Sequence, residues 1–479
     1  MAHIAFVQNL AFEYLGVMYL SAALKRAGHK VEVFLLERSE EDLASQVLSF
    51  RPTLVAFSVT TGMHHWAVSF ASLIKRFSKV PTIFGGPHPT FFPELIENPS
   101  VDMICRGEGE QAIVELADKM ETQQSVHDTP NLWVKIDGEI VRNNLRPLVD
   151  DLDLLQNPDR LIYRSKYSFL NKSSAAFMAG RGCPFKCSFC FNQAARQMYK
   201  GLGRYVRLRR PEKVIQEIIE ARQYFKLRTV YMQDDTFLSN KTWVKEFSQL
   251  YQDKIGLPLI CLLRADQVDE DSIVALKRAG LKNVFFGIET GDERIRNDLL
   301  KKGVKDEHIY AAAALLRKHS IGFRTYNMVG LPGETLDEAL RTMRMNAKIR
   351  TDYPWCSLFY PFPGTELGRL ASEHGLLSEQ SHNFGSPSFF RESMIQSQYA
   401  RQMANIQKLF WYGVKFPSLT PLLERLIKLP PNPLFDLLFL ASYGISLYGS
   451  ENMTLREVVS LGLKNVGRFF YGGPGKSDS

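Results

Sequence analysis

Three cysteines fall within eight residues of this chain, in the run RGCPFKCSFC, as Cys183, Cys187 and Cys190. Their C-x3-C-x2-C spacing lets one short loop fold three thiolates around a point. Three thiolates are one too few for a closed structural zinc site, and the neighbouring sequence offers no histidine to complete one. The spacing also departs from the four-cysteine runs of ferredoxins. Three thiolates on a four-iron cluster would leave one iron open for a substrate-like ligand. Cys105, Cys261 and Cys356 lie far off in sequence, so the six cysteines read as a metal site rather than a disulfide framework.

Such a loop needs a scaffold, and the sequence around it supplies an alternating one. Expected strands are Ala175–Gly180, Thr229–Gln233, Leu257–Leu263, Asn283–Ile288, Gly322–Val329 and Trp355–Tyr360, with helical stretches between them. Six βα units predict a partial TIM-type barrel over residues 175–385, with its chemistry on the loops at the carboxyl ends of the strands. An earlier series runs through His3–Asn9, His29–Glu37, Thr53–Val59, Pro81–Gly86 and Val101–Gly107, with helices such as Tyr14–Ala27 ending at Gly28. It predicts a doubly wound parallel sheet of Rossmann or flavodoxin type over 1–125, binding its ligand beyond the strand ends. Between the two, Asp137-Gly138 marks a hairpin and acidic, proline-containing text reads as a linker, together 126–174. Residues 386–479 read as a mainly helical region. The whole is an α/β chain.

Composition sets the outer bounds. The chain has 479 residues, 45% hydrophobic and 23% charged, which excludes a disordered, fibrous or cysteine-stapled protein. A net charge of +8 is spread too thinly to argue for nucleic acid, but suits an anionic substrate or membrane surface. The N-terminus lacks the features of a signal peptide and no spanning helix is predicted, so the expected setting is a reducing cytoplasm.

The cysteine run resembles the signature C-x3-C-x-φ-C of the radical S-adenosylmethionine (SAM) enzymes, with Phe189 at the φ position and the typical Phe191-Asn192 following. In that family the open iron of a [4Fe-4S] cluster chelates SAM. One electron then cleaves it to a 5′-deoxyadenosyl radical that abstracts hydrogen. Further segments resemble the family's motifs at successive strand ends: YMQDDTF with Asp234 and Asp235, LLRAD with Arg264, FGIETG with Gly287, Glu289 and Gly291, and NMVGLPGET with Gly330, Gly333 and Glu334. The resemblance implies cluster ligation by Cys183, Cys187 and Cys190, and SAM binding near Phe189, Asp234, Asp235, Arg264, Gly287, Glu289 and Gly330. Taken singly, Arg264 and Glu289 could equally close structural ion pairs.

The N-terminal segments FSVTTGMHHW, FGGPHPTFFPE and VDMICRGEGEQA resemble the cobalamin-dependent branch of this family. Methylthiotransferases, which need three cysteines in the leading domain, are excluded because only Cys105 occurs there. The resemblance implies a cobalamin-binding domain with Ser58, Thr60, Thr61, Gly85, Gly86, His88 and Glu108 at its cleft. No D-x-H-x-x-G motif is present, so the axial ligand of cobalt stays open between His88 and none; a fold that binds nothing is the other alternative. In the branch the commonest reaction moves a methyl group from methylcobalamin to an unactivated carbon, or to phosphorus. Cyclisation or ring rearrangement is the alternative within the branch, and a non-catalytic cobalamin and cluster sensor the alternative outside it.

The implied partners are a small-molecule substrate and an electron donor such as flavodoxin or ferredoxin, with no nucleic acid. FFRESM, KLFWYGVKFPSL and PNPLFDLLFLASYGISLYG make the C-terminal region apolar and aromatic. The expectation is a helical cap over the barrel mouth. The alternative is an interfacial surface for an apolar or lipid-like substrate, with peripheral membrane contact. YGGPGKSDS reads as a frayed end.

Overall fold

Apolar runs bounded by turn residues become strands throughout the computed structural model, which describes residues 1–170, 173–378 and 393–470. The first sheet holds β1 (His3–Gln8), β2 (Lys30–Leu35), β3 (Leu54–Ser58), β4 (Thr82–Gly85), β5 (Met103–Cys105), β6 (Leu132–Ile136) and β7 (Glu139–Arg142). Their order is β2-β1-β3-β4-β5-β6-β7; the first five are parallel and the last two antiparallel. Alternate residues of β1 feed the two faces: Ile4 and Phe6 pack with Leu24 and Leu116, while Ala5 and Val7 pack with Phe70 and Ile74. Both faces are therefore covered by helices, as a doubly wound sheet requires.

The hairpin forms at Asp137-Gly138, both at positive φ (48° and 87°), the conformation of a tight I′ turn. It does not stand in a linker. β6 pairs with the free edge of β5, so this sheet continues past residue 125 to Arg142. An exposed β5 edge would carry unpaired backbone groups, and the hairpin covers them.

The second sheet is a sequential parallel ladder of β8 (Ser174–Phe177), β11 (Thr229–Met232), β12 (Leu259–Leu262), β13 (Leu281–Glu289), β14 (Gly322–Val329) and β15 (Tyr353–Leu358). A short antiparallel pair, β9 (Gly180–Arg181) with β10 (Arg207–Leu208), flanks the loop after β8. Outer helices pack on the ladder through residues such as Phe247, Leu276 and Leu316, and β8 and β15 do not pair, leaving a partial barrel.

Helices Ala400–Lys415, Thr420–Leu426, Pro433–Ser450 and Leu455–Phe470 follow. The first lies along β15 and shares its core with Val329, Cys356 and Leu358. The third sets Phe439 and Tyr443 against Trp355, and the carbonyls of Gly449 and Ser450 accept from the Asn283 amide at the start of β13. Asn452 reaches Thr229, and Glu457 reaches Ser173 just ahead of β8. These contacts are at the amino ends of the strands. The last two helices close the floor of the barrel and not, as expected from sequence, its mouth, anchored on Asn283 and Arg324 near the strand starts, while Ala400–Lys415 runs along the barrel's side from Gly330 to Thr351. Most of FFRESM, the 385/386 boundary and YGGPGKSDS lie outside the described residues.

Candidate active site

The cysteine loop leaves β8 through β9 and is pinned on both sides. Gly182 sits at φ +84°, where a Cβ would come within 2.3 Å of the Tyr205 carbonyl. Ser188, fully buried, donates its backbone N–H and its hydroxyl to Leu300 and Leu299 (3.0 and 2.6 Å). Phe189 packs into a cluster with Ile295, Leu300 and Leu331. The three thiols are free and partly accessible; burial raises Cys183 to about 11 and also raises Cys190. Metal binding must therefore release the protons of Cys183 and Cys190. Arg264 Nη1 lies 3.7 Å from Cys187 Sγ and the Asn192 amide 3.7 Å from Cys190 Sγ.

Adjacent Asp234 and Asp235 diverge. Asp234 is buried and accepts from the backbone N–H groups of Ala179 (3.0 Å) and Gly180 (2.6 Å), so its carboxylate braces the start of the cysteine loop. Asp235 is exposed toward the thiols of Cys183 and Cys190. Desolvation raises Asp234 to about 7. With its folded pKa above the unfolded value, the folded state holds the extra proton between about pH 4 and 7. Stability of the apoprotein should thus fall as pH rises through that window, by up to about 1.4 kcal/mol per unit for this group. Asp234→Asn, which keeps an acceptor oxygen, should flatten that slope in denaturant melts; an unchanged slope would contradict the assignment.

Arg264 is buried, chelated by Asp266 (3.0 and 3.1 Å), with its guanidinium 3.5 Å from the centre of the Phe185 ring. Glu289 ends β13 at φ +67° beside a register shift, and ion-pairs with buried Lys302 at 2.7 Å. A Cβ at Gly287 would fall 1.8 Å from Glu289 Oε1 and 2.9 Å from Lys302 Nζ, so a side chain there would displace the ends of that ion pair. Gly330, at φ +78°, donates its N–H to Glu334 Oε2 (2.6 Å), as does Leu331 (3.1 Å). Burial holds Glu334 up at about 8. Cys183, Cys187, Cys190, Asp235 and Arg264 thus meet at one end of the barrel. Glu289, Gly287 and Gly330 form the adjoining strand ends, and Asp234, Phe189 and Glu334 support them from below.

In the first sheet, a cavity of about 310 Å³ opens at the carboxyl ends of the strands. Ser58, Gly85, Gly86 and Glu108 line it, as do Gly16, Tyr19, Leu20 and Cys105. Met178, just after β8, and Arg181, in β9, complete its wall. Thr61 and His88 are not in that lining. Thr61 bonds His88 Nδ1 (3.1 Å), and His88 stacks on His64 at 3.6 Å; burial keeps both imidazoles neutral, near 4 and 2. Thr60 belongs to the same loop. Glu108 is a latch: it pairs with Arg207 (2.5 Å) and Arg181 (3.2 Å), and its N–H donates to the Tyr199 hydroxyl (2.9 Å). Gly107 permits this, because a Cβ would meet the Tyr199 hydroxyl at 1.7 Å. The sequence singles out none of Gly16, Tyr19, Leu20, Met178 and Arg181: the first four lie in no motif, and Arg181 opens the run RGCPFKCSFC, where the cysteines carry the signal.

Two family models match the chain: B12 binding domain over residues 9–117 and Radical SAM superfamily over 178–345, together more than half its length. The chain belongs to the radical SAM superfamily and carries a B12-binding domain ahead of the radical SAM core. An uncharacterized methyltransferase of Pyrococcus horikoshii is 29% identical over 371 residues, 76% of this chain and 79% of its own. An anaerobic magnesium-protoporphyrin IX monomethyl ester cyclase of Rubrivivax gelatinosus is 25% identical over 412 residues, 82% and 73% respectively. The solved structure of the cobalamin-dependent SAM radical enzyme OxsB superposes with a TM-score of 0.68 over 98% of this chain and 76% of that one, at 16% identity, which shows a shared fold.

The cofactors are a [4Fe-4S] cluster, SAM and cobalamin, and the residues present fit them. Three free thiols with N–H donors from Arg264 and Asn192 suit an anionic iron–sulfur cluster with one open iron. The open cleft leaves room over the strand ends for a broad, flat ligand: Ser58, Gly85 and Gly86 present no bulky side chain, and a Cβ on Gly16, on its rim, would meet nothing within 4 Å.

Proposed function

We propose that this chain is a methyltransferase that adds a methyl group to an unactivated carbon, or to phosphorus, of a small apolar substrate. The observation that carries this reading is the adjacency of the two sites. Met178 and Arg181 line the cavity, and Cys183 follows two residues later on the same loop. When bound, cluster and SAM supply hydrogen abstraction and cobalamin a transferable methyl group; the protein supplies position and shelter. Cys183, Cys187 and Cys190 would hold the cluster, with Arg264 and Asp235 beside it. Gly287, Glu289 and Gly330 would bound the SAM site, Lys302 keeping Glu289 neutralised by pairing. Ser58, Gly85, Gly86 and Gly16 would bound the cobalamin, and the Glu108 latch would hold the two sites face to face.

An apolar substrate is supported by an aromatic wall between the domains, where Phe91 stacks on Phe191 (4.4 Å) and Phe191 meets Phe362 (5.4 Å). Flavodoxin or ferredoxin would supply electrons, in a cytoplasm reducing enough to keep an open iron intact. The second reading, cyclisation, is supported by the relative named as a cyclase.

The test is anaerobic turnover of the reduced holoenzyme with SAM labelled in its methyl group and a panel of small apolar acceptors. Label in product alongside 5′-deoxyadenosine is the expected result. 5′-Deoxyadenosine with an altered but unlabelled product would replace methylation by cyclisation, and no SAM cleavage would leave a sensor.

A further inference from the structure

The helix Pro433–Ser450 is turned inside out. Its inward face carries Phe435, Phe439, Ser442, Ser446 and Ser450, all buried. Its outward face carries Leu434, Leu437, Ala441, Ile445 and Tyr448, at intervals of three and four residues that place them on one stripe. Leu437 is 63% exposed and Ile445 54%. A helix folded only to cap the barrel would bury its leucines and expose its serines. The last helix repeats the pattern: Leu455, Val459 and Leu463 are 68%, 50% and 83% exposed along one face. The two helices touch where Val458 lies against Gly444, so the stripes belong to one surface. Contiguous exposed apolar patches of this kind mark interaction sites.

The charges around this surface are sorted. Its acidic residues have partners: Asp436 and Glu451 pair with buried Lys408 and Arg324, Glu424 with Arg344 at the surface, and Glu457 accepts from Ser173 and Thr454. Among the described residues, exposed Arg425, Lys428 and Arg456 have no ion-pair partner. Beside the start of the last helix, a cavity of about 580 Å³ is lined by Lys226, Arg228, Thr454 and Glu457, and neither Lys226 nor Arg228 is paired among the described residues. Apolar stripes flanked by free cations complement an anionic lipid surface. No helix among the described residues is long and apolar enough to cross a membrane.

We infer that the outer face of the last two helices is a docking surface for an anionic membrane, with the apolar stripes set into the headgroup boundary and Lys226, Arg228, Lys428 and Arg456 against lipid phosphates. This is independent of the methyl-transfer reading, since the surface lies on the barrel floor, away from the cysteine loop.

The test is sedimentation of the full-length protein with vesicles of phosphatidylglycerol and phosphatidylcholine, and with phosphatidylcholine alone. Binding to the anionic vesicles, falling with salt, is expected. Lys226→Gln with Arg228→Gln should weaken it about five-fold per charge removed. Leu437→Gln with Ile445→Gln should weaken it at least about ten-fold, with circular dichroism and SAM cleavage unchanged. Equal binding to both vesicles, or binding insensitive to Leu437→Gln with Ile445→Gln, would overturn the inference. So would a dimer in solution that this pair converts to monomer, because the occupant would then be a second copy.

Discussion

Cys187→Ala is expected to abolish reductive cleavage of SAM, by more than about a hundred-fold, the upper end of what losing a mere supporting residue costs. Cys187 is one of three thiols on a loop whose other positions are already committed: Ser188 to Leu299 and Leu300, Phe189 to an apolar cluster. No spare thiol can replace it, because Cys105, Cys261 and Cys356 are buried in other elements. Iron content of the anaerobically reconstituted variant should fall with activity. Cys261→Ala is the matched control, removing a thiol buried in β12 and leaving iron in place. SAM cleavage that survived Cys187→Ala would refute the cluster assignment.

The second large effect concerns cobalt. Gly16→Phe is expected to leave iron and SAM cleavage near wild type while lowering cobalamin retention at least about ten-fold. A Cβ at Gly16 meets no neighbour, so the fold tolerates the side chain. The ring would occupy the cavity shared by Tyr19, Leu20 and Gly85, and a filled cavity must be vacated before any ligand enters. Cobalt measured after desalting, together with the absorption spectrum of the bound corrin, reads the result. Full cobalt retention in Gly16→Phe would move the cobalamin site elsewhere on the sheet.

Much of this architecture is legible in the sequence because its signals are local. A strand run such as His3–Asn9 is apolar on both faces and bounded by turn residues, and β1 forms within it. Asp137-Gly138 states its hairpin through backbone conformation alone. What the hairpin pairs with is a tertiary fact, and its joining β5 is not written in either segment. The divergence of Asp234 from Asp235 has the same origin: alternation along a strand end sends one carboxyl beneath the loop and the other toward the thiols. The cavity's helix wall, from Gly16 to Leu20, is invisible because ordinary core residues form it. The C-terminal helix misleads for a physical reason. Periodicity shows that Leu434, Leu437 and Ile445 share a face, but not whether that face turns inward, and here it turns out.

The most direct test of the central claim is elemental analysis of iron and cobalt in protein purified anaerobically from cobalamin-supplied cells. The account predicts about four irons and about one cobalt per chain, one cluster and one corrin held by a single polypeptide. Iron without cobalt, even after reconstitution with cobalamin, would contradict it: the radical SAM core would stand, and methyl transfer through cobalamin would not.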